Sequence, residues 1–115
     1  MTVGEIDPRN IPTCVCGGAV RPDVVWFGED LPHEALQKAV FASSRAELFF
    51  SIGTSAEVFP AADLPVVAKR SGAFLVEINP EATRISEFAD EVIREQSGLA
   101  LPQLWRQIPA QINAK

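Results

Sequence analysis

The stretch LFFSIGTSAEVFPAADLPVVAKRSGAFLVEINPE, residues 48–81, decides the fold. It opens on Leu48-Phe49-Phe50-Ser51-Ile52, a short and almost wholly apolar run between Glu47 and Gly53, the pattern of a strand covered on both faces in a parallel sheet. Gly53-Thr54-Ser55 leaves that run as a small polar loop. Pro60-Ala61-Ala62-Asp63-Leu64 then opens a helix predicted to end near Arg70, with Gly72 as its C-terminal cap. Phe74 to Ile78 is a second buried strand, with Asn79-Pro80-Glu81 as its polar exit. Strand, helix, strand with a right-handed crossover makes a parallel α/β sheet, and ligands of such open sheets sit outside the carboxyl ends of the strands. Gly53-Thr54-Ser55 and Asn79 are thereby placed on one edge. Hydroxyl-bearing loops there can hold phosphate or ribose hydroxyls, and a carboxamide can meet a sugar diol. The same residues also make a plain strand exit and an Asx turn ahead of Pro80, and local sequence does not separate the two.

Outward from this unit, Ala35, Leu36, Ala39 and Val40 recur at helical spacing behind Pro32, with Ser43-Ser44 as the predicted end. Asp23 to Phe27 is β-favouring and closed by Gly28-Glu29-Asp30, so a short strand is predicted there, and Val25, Trp26 and Phe27 read by themselves as ordinary core. Residues 1–23 lack a periodic apolar pattern and are read as loop or the remnant of a small module, with no helix expected. Downstream, Ala89 to Arg94 supplies one more short strand. Leu99 to Ile112 is predicted as an amphipathic helix with Leu101, Leu104, Trp105 and Ile108 on one face.

At 115 residues and 47% hydrophobic, the chain has enough apolar material for one modest domain. Its net charge of −5 with scattered Lys and Arg argues against nucleic acid as a partner. No apolar run approaches the roughly 18 to 20 residues of a membrane span, and MTVGEIDPRN is acidic where a signal peptide is basic, so no membrane partner and a cytoplasmic location are expected. Cys14 and Cys16 are the two cysteines. One intervening residue strains a disulfide, whereas half of a zinc site ahead of the Gly17-Gly18 turn is easily built. Reduced free thiols fit the pair equally well.

Three motifs then carry a family resemblance. CGGAVRPDVVWFGEDLP (Cys16 to Pro32) resembles the sirtuin segment running from the second zinc cysteine pair through RPxVVxFGE. GTSAEVFPAADLP (Gly53 to Pro65) is similar to the family's GTSLxVxPAAxLP, and VEINPEAT (Val76 to Thr83) to its VxINxExT. Together they cover nearly everything from about residue 11 to residue 107. The resemblance implies the C-terminal, bacterial-type portion of a sirtuin, an NAD-dependent protein lysine deacylase. The implied fold is the second half of a Rossmann-like parallel sheet with flanking helices, at 23–115, plus a remnant of the small zinc-binding module and linker at 1–22.

Carried over by position, the resemblance implies NAD contacts at Gly53, Thr54, Ser55, Asn79, Glu81 and Ser97, with Asn79 on the adenine ribose hydroxyls and Ser97 against the adenine. Glu95 stands where the family usually has Gly, a departure at the adenine end. The acyl-lysine peptide is implied to add as a strand between Val25-Trp26-Phe27-Gly28-Glu29 and the loop of Ala56, Glu57 and Val58. The Val25 carbonyl would accept the acyl-lysine amide, and the Phe27 ring would pack on the lysine methylenes. Glu57 departs from a usually apolar pattern. Cys14 and Cys16 match the second ligand pair of the structural zinc, whose first pair would lie upstream.

The family reaction converts acyl-lysine and NAD to lysine, nicotinamide and O-acyl-ADP-ribose. Its glycine-rich GAGxSxxSGIPDFR loop, QNxD segment and HG histidine have no counterpart in these 115 residues, and the single histidine, His33, reads as a solvated helix-start residue. No catalytic residue is therefore assigned, and the chain by itself is expected to be inactive. The missing N-terminal half is an expected partner, and a non-catalytic remnant that binds a nucleotide, peptide or partner chain is the alternative.

Overall fold

Three parallel strands carry the fold in the computed structural model, which describes residues 10–108. Their order is β1 (Leu48–Ile52), β2 (Phe74–Ile78), β3 (Glu91–Ile93), with β2 in the centre. Ile52 pairs with Ile78 and Ile78 with Ile93, so all three strands end level on one edge. The two strands expected within residues 48–81 and the short strand expected within 89–94 are all present.

Helix α1 (His33–Ser44) follows Pro32 and ends at the two serines, as predicted. The Ser43 hydroxyl donates back to the Ala39 carbonyl at 2.8 Å and that of Ser44 to Phe41 at 2.8 Å. Between β1 and β2 the chain enters α2 (Leu64–Arg70) through a 3-10 turn at Ala61–Asp63. The tighter turn has a cause in sequence: Pro65 has no N–H to offer the Ala61 carbonyl, which takes the Leu64 N–H instead. Gly72 ends α2 as expected, with φ of +99°. The Ala73 N–H reaches the Ala68 carbonyl at 3.0 Å and the Gly72 N–H that of Lys69 at 3.1 Å, closing the last turn through a left-handed residue that a side chain would strain.

β2 is buried from Leu75 through Ile78. Val76 and Ile78 pack with Ala100 of α3 (Ser97–Gln107), flanked by Ile93 and Leu104. α3 begins two residues earlier than predicted, and its packed face also differs. Ala100 and Leu104, one turn apart, point inward, while Leu101 and Trp105 lie about 100° further round the helix and are exposed. Position 112 of the predicted helix lies outside the described residues.

β1 has the composition of a strand built to be covered on both faces, and one of its faces is open. Leu48, Phe50 and Ile52 are 52%, 42% and 38% exposed, and among the described residues β1 pairs with β2 only. An apolar run signals what a strand is built to meet, and its second neighbour is not within the described residues. Beside β1 lies an apolar cavity of about 250 Å³ lined by Phe49, Ile52, Ala56, Val58, Leu64 and Pro65 among others. A free apolar edge of this kind templates pairing with another chain. The 115-residue chain is therefore expected to self-associate at micromolar concentration in sedimentation velocity. A concentration-independent monomer would contradict this.

In sequence the contacts divide the chain into two units, Met1–Leu31 and Pro32–Lys115, and all the elements above belong to the second. In the first, Thr13 bridges Ala19 in antiparallel sense around a tight turn with Gly17 at φ of +85°. The strand predicted at Asp23 to Phe27 does not form. Instead the segment is a loop held by the Arg21 guanidinium, which donates to both Glu29 oxygens at 2.9 and 3.1 Å. The Trp26 N–H also reaches Glu29, and the Glu29 N–H closes back on the Trp26 carbonyl at 3.0 Å. β-favouring residues make a strand only where backbone partners exist, and here the local ion pair and the turn at Gly28 prevail.

Candidate functional site

Gly53, Asn79 and Arg94 are the residues that immediately follow β1, β2 and β3, so the level strand ends bring them to one edge. The Gly53 N–H donates to the Ile78 carbonyl at 3.0 Å and the Asn79 N–H to that of Ile93 at 3.1 Å, extending the ladders by one step. Gly53 adopts φ of +63°, a left-handed turn that carries the chain out of the sheet.

Asn79 joins the two loops. Its Nδ2 donates to the Thr54 carbonyl at 3.1 Å, and its Oδ1 accepts the Glu81 N–H at 3.0 Å. The second contact is the Asx turn across Pro80 that the local sequence allowed for Asn79. A carboxamide has two donor hydrogens and two acceptor lone pairs, so one donor and one acceptor remain beyond these contacts. They are the complement of a vicinal diol. Ser55, Glu57, Asn79, Glu81, Ala82 and Thr83 line a polar cavity of about 180 Å³ at this edge. That is smaller than the roughly 300 Å³ and upward of a whole-ligand pocket and is on the scale of one sugar.

Of the expected cofactor residues, Ser55, Asn79 and Glu81 come together at the polar cavity, while Thr54 lines the apolar cavity beside β1 and Ser97 lines neither. The Thr54 hydroxyl accepts the Ala56 N–H at 3.1 Å. Glu57, expected on the peptide side, lines the polar cavity, and Val58 lines the apolar one. In the first unit, Val25, Trp26 and Phe27 are 43%, 57% and 93% exposed, which overturns the reading of these residues as ordinary core. Cys14 and Cys16 are free and exposed at the tip of the 13–19 turn. Hydrogen bonds from the Gly18 backbone and from Cys14 lower the Cys16 pKa from its ordinary value, which favours the thiolate that a metal takes. A closed zinc site needs four ligands, and no group of three or more potential ligands occurs among the described residues.

Sequence reasoning missed the group beneath the loop. Glu77, on β2, is 1% exposed and accepts hydrogen bonds from the Thr83 hydroxyl, from Ser86 Oγ at 2.6 Å and from Arg94 Nη1 at 2.9 Å. Arg94 also donates to the Asn79 carbonyl at 3.2 Å, the Glu81 carbonyl at 3.1 Å and Ser86 Oγ at 2.8 Å. The visible signal was a charged residue within the apolar run FLVEI, because a buried carboxylate requires partners. Which partners it takes depends on how residues 79–94 fold back.

Burial works to raise the Glu77 pKa, but hydrogen bonds from Ser86, Thr83 and Arg94 and the Arg94 charge outweigh it, leaving the carboxyl below its ordinary value. A depressed carboxyl stabilises the fold above its unfolded-state pKa, and that contribution is lost as pH falls through the lower folded value. Glu77→Gln is expected to cost about 2 kcal/mol at neutral pH through weakened charge-assisted hydrogen bonds. In thermal melts the gap between the two proteins should close as pH falls well below 4.5. A gap independent of pH would exclude an ionised Glu77.

A parallel sheet with flanking helices and a polar cavity at its carboxyl edge defines a Rossmann-like α/β protein. The Sir2 family model matches residues 2–60. An NAD-dependent protein deacylase of Mycolicibacterium paratuberculosis is 48% identical over 109 residues, spanning 95% of this chain and 45% of that protein. A Sir2 homologue mutant solved in complex with ADP-ribose superposes with a TM-score of 0.83 at 38% identity, over 96% of this chain and 45% of that one. A Sir2 structure with p53 peptide and NAD+ gives 0.75 at 36% identity, over 84% and 41%. The chain belongs to the Sir2 family, the sirtuins, and it spans less than half the length of these relatives.

Proposed function

We propose that this chain is the portion of a Sir2-type NAD-dependent protein lysine deacylase that holds the adenine ribose of NAD and part of the acyl-lysine peptide. The observation that carries it is the meeting of Ser55, Asn79 and Glu81 around one sugar-sized cavity at the ends of two parallel strands. Asn79 takes the ribose diol with its spare donor and acceptor. Glu81 and Glu57 place two carboxylates at the same cavity, an arrangement that suits an unphosphorylated ribose and repels a phosphate there. Gly53, Thr54 and Ser55 serve the phosphates and ribose, and Ser97 the adenine.

On the peptide side, Val25 to Glu29 and Glu57-Val58 supply backbone and apolar surface. An almost fully exposed Phe27 is a side chain in need of a partner, and the acyl-lysine methylenes have the chemistry to cover it. Cys14 and Cys16 supply two thiolates to a structural zinc whose other ligands come from a further segment. The domain assignment follows the same division, a zinc-module remnant at 1–22 and the nucleotide and peptide portion at 23–115. A cytoplasmic location accords with this reading, and no helix of the described residues is long and apolar enough to cross a membrane. Proton transfer needs a general base that these residues do not offer, since His33 opens α1 on the exposed surface.

Nicotinamide release from NAD with an acyl-lysine peptide tests the proposal. The chain alone should release none, and addition of the N-terminal half of a mycobacterial relative should restore measurable turnover. Turnover that appears with the partner half and is lost in Asn79→Ala supports the deacylase portion. NAD binding without turnover in the mixture supports the non-catalytic alternative instead.

A further inference from the structure

The Asn79-Pro80-Glu81 turn wraps around one cation. Pro80 has no N–H, the Glu81 N–H is held by Asn79 Oδ1, and the carbonyls of Asn79 and Glu81 both converge on Arg94 Nη1. Two carbonyl dipoles aimed at the same point repel one another unless a positive group sits between them. Arg94 reaches that point because β3 ends level with β2. Its place is in turn fixed by Glu77, a buried carboxylate that also grips Thr83 and Ser86 and so ties down the far end of the same loop.

We propose that Arg94, anchored by Glu77, is the positioning residue of the ribose site, holding the 79–83 turn in the one shape that presents the Asn79 carboxamide and the Glu81 carboxylate to a sugar diol. The inference rests on the reading of the cavity as a ribose site. Arg94 acts through the turn, by backbone carbonyls, and makes no contact with the sugar itself. Without it the Asn79 and Glu81 carbonyls lose the group that draws them together, the turn is left fastened by the Glu81 N–H bond to Asn79 Oδ1, and the cavity loses its selectivity for a diol before the sheet loses its fold. A guanidinium is suited to the task because its planar fork serves several acceptors at once, here Glu77, two carbonyls and Ser86.

The test compares ADP with 2′,3′-dideoxy-ADP, by NMR titration of the 115-residue chain at a temperature where circular dichroism shows each protein folded. The wild type should prefer the diol by about tenfold, the scale of one hydrogen-bonded pair. Arg94→Met should bring that preference close to one, Glu77→Gln should reduce it at least threefold, and Arg94→Lys should restore part of it. Ile93→Val, which loosens the core next to Arg94 without touching the turn, should leave the preference unchanged. A wild type with no diol preference overturns the ribose-site reading and the inference with it. A wild-type preference retained in Arg94→Met overturns the inference alone. Where Arg94→Met does not fold, Arg94→Lys and Glu77→Gln decide: wild-type preference in both overturns the inference.

Discussion

Replacing Asn79 with Ala is expected to weaken ADP-ribose binding by about 30-fold or more, the equivalent of two lost hydrogen bonds at about 1 kcal/mol each. The carboxamide has two tasks in one place. It closes the 53–55 loop on the 79–81 turn through the Thr54 carbonyl and the Glu81 N–H, and under the proposed function its remaining donor and acceptor take the diol. Alanine removes both tasks. Asn79→Asp separates them: the carboxylate still accepts the Glu81 N–H but has no donor for Thr54, and it adds a third negative charge beside Glu57 and Glu81. Isothermal titration should rank wild type above Asn79→Asp and Asn79→Asp above Asn79→Ala. Equal affinity in all three would remove Asn79 from the site.

Ile78→Ala is expected to cost the fold about 3 kcal/mol, as large-to-small changes at fully buried positions do. Ile78 is fully buried on the central strand and packs with Val76 and Ala100, with Ile93 and Leu104 around them. The next residue is Asn79, and the Ile78 carbonyl receives the Gly53 N–H, so loss of packing here loosens core and ligand edge together. Against a total stability of some 5 to 15 kcal/mol the loss is large. It corresponds to a drop of roughly 12 to 24 °C in melting temperature for a domain of this size. Trp105→Ala on α3 should shift the melt by far less, because that ring faces solvent. Similar shifts in both would show that Trp105 has a packed partner.

The parts of the fold legible in sequence were those with local causes. Leu48–Ile52 and Phe74–Ile78 are apolar runs with polar exits, Gly72 supplies the left-handed residue that ends α2, and Pro32 and Ser43-Ser44 bracket α1. Where the outcome depended on a partner, sequence misled. Asp23 to Phe27 has the composition of a strand but folds as a loop, because the Arg21–Glu29 pair is local and, among the described residues, no strand pairs with the segment. β1 has the composition of a doubly covered strand but is exposed on the face of Leu48, Phe50 and Ile52.

The candidate site divides in the same way. Asn79 and Ser55 could be named from their place at strand ends, and Glu81 from the resemblance. Glu57 at the polar cavity, and the Glu77–Arg94 pair beneath it, depend on how residues 79–94 return across the sheet, and spacing does not reveal that. Arg84 belongs with them, stacked over the Phe59 ring at 4.8 Å and donating to the Ala56 carbonyl at 3.5 Å, which ties the 56–60 loop to the same returning segment.

Titration of the isotope-labelled 115-residue chain with ADP-ribose, under conditions where sedimentation velocity shows a single species, followed residue by residue in NMR spectra, tests the central claim most directly. The account predicts saturable shifts at Gly53, Thr54, Ser55, Asn79, Glu81 and Ser97, with the turn of Cys14 and Cys16 unaffected. Absence of shifts at saturating ligand, or shifts confined to residues away from the carboxyl edge of the sheet, would contradict it.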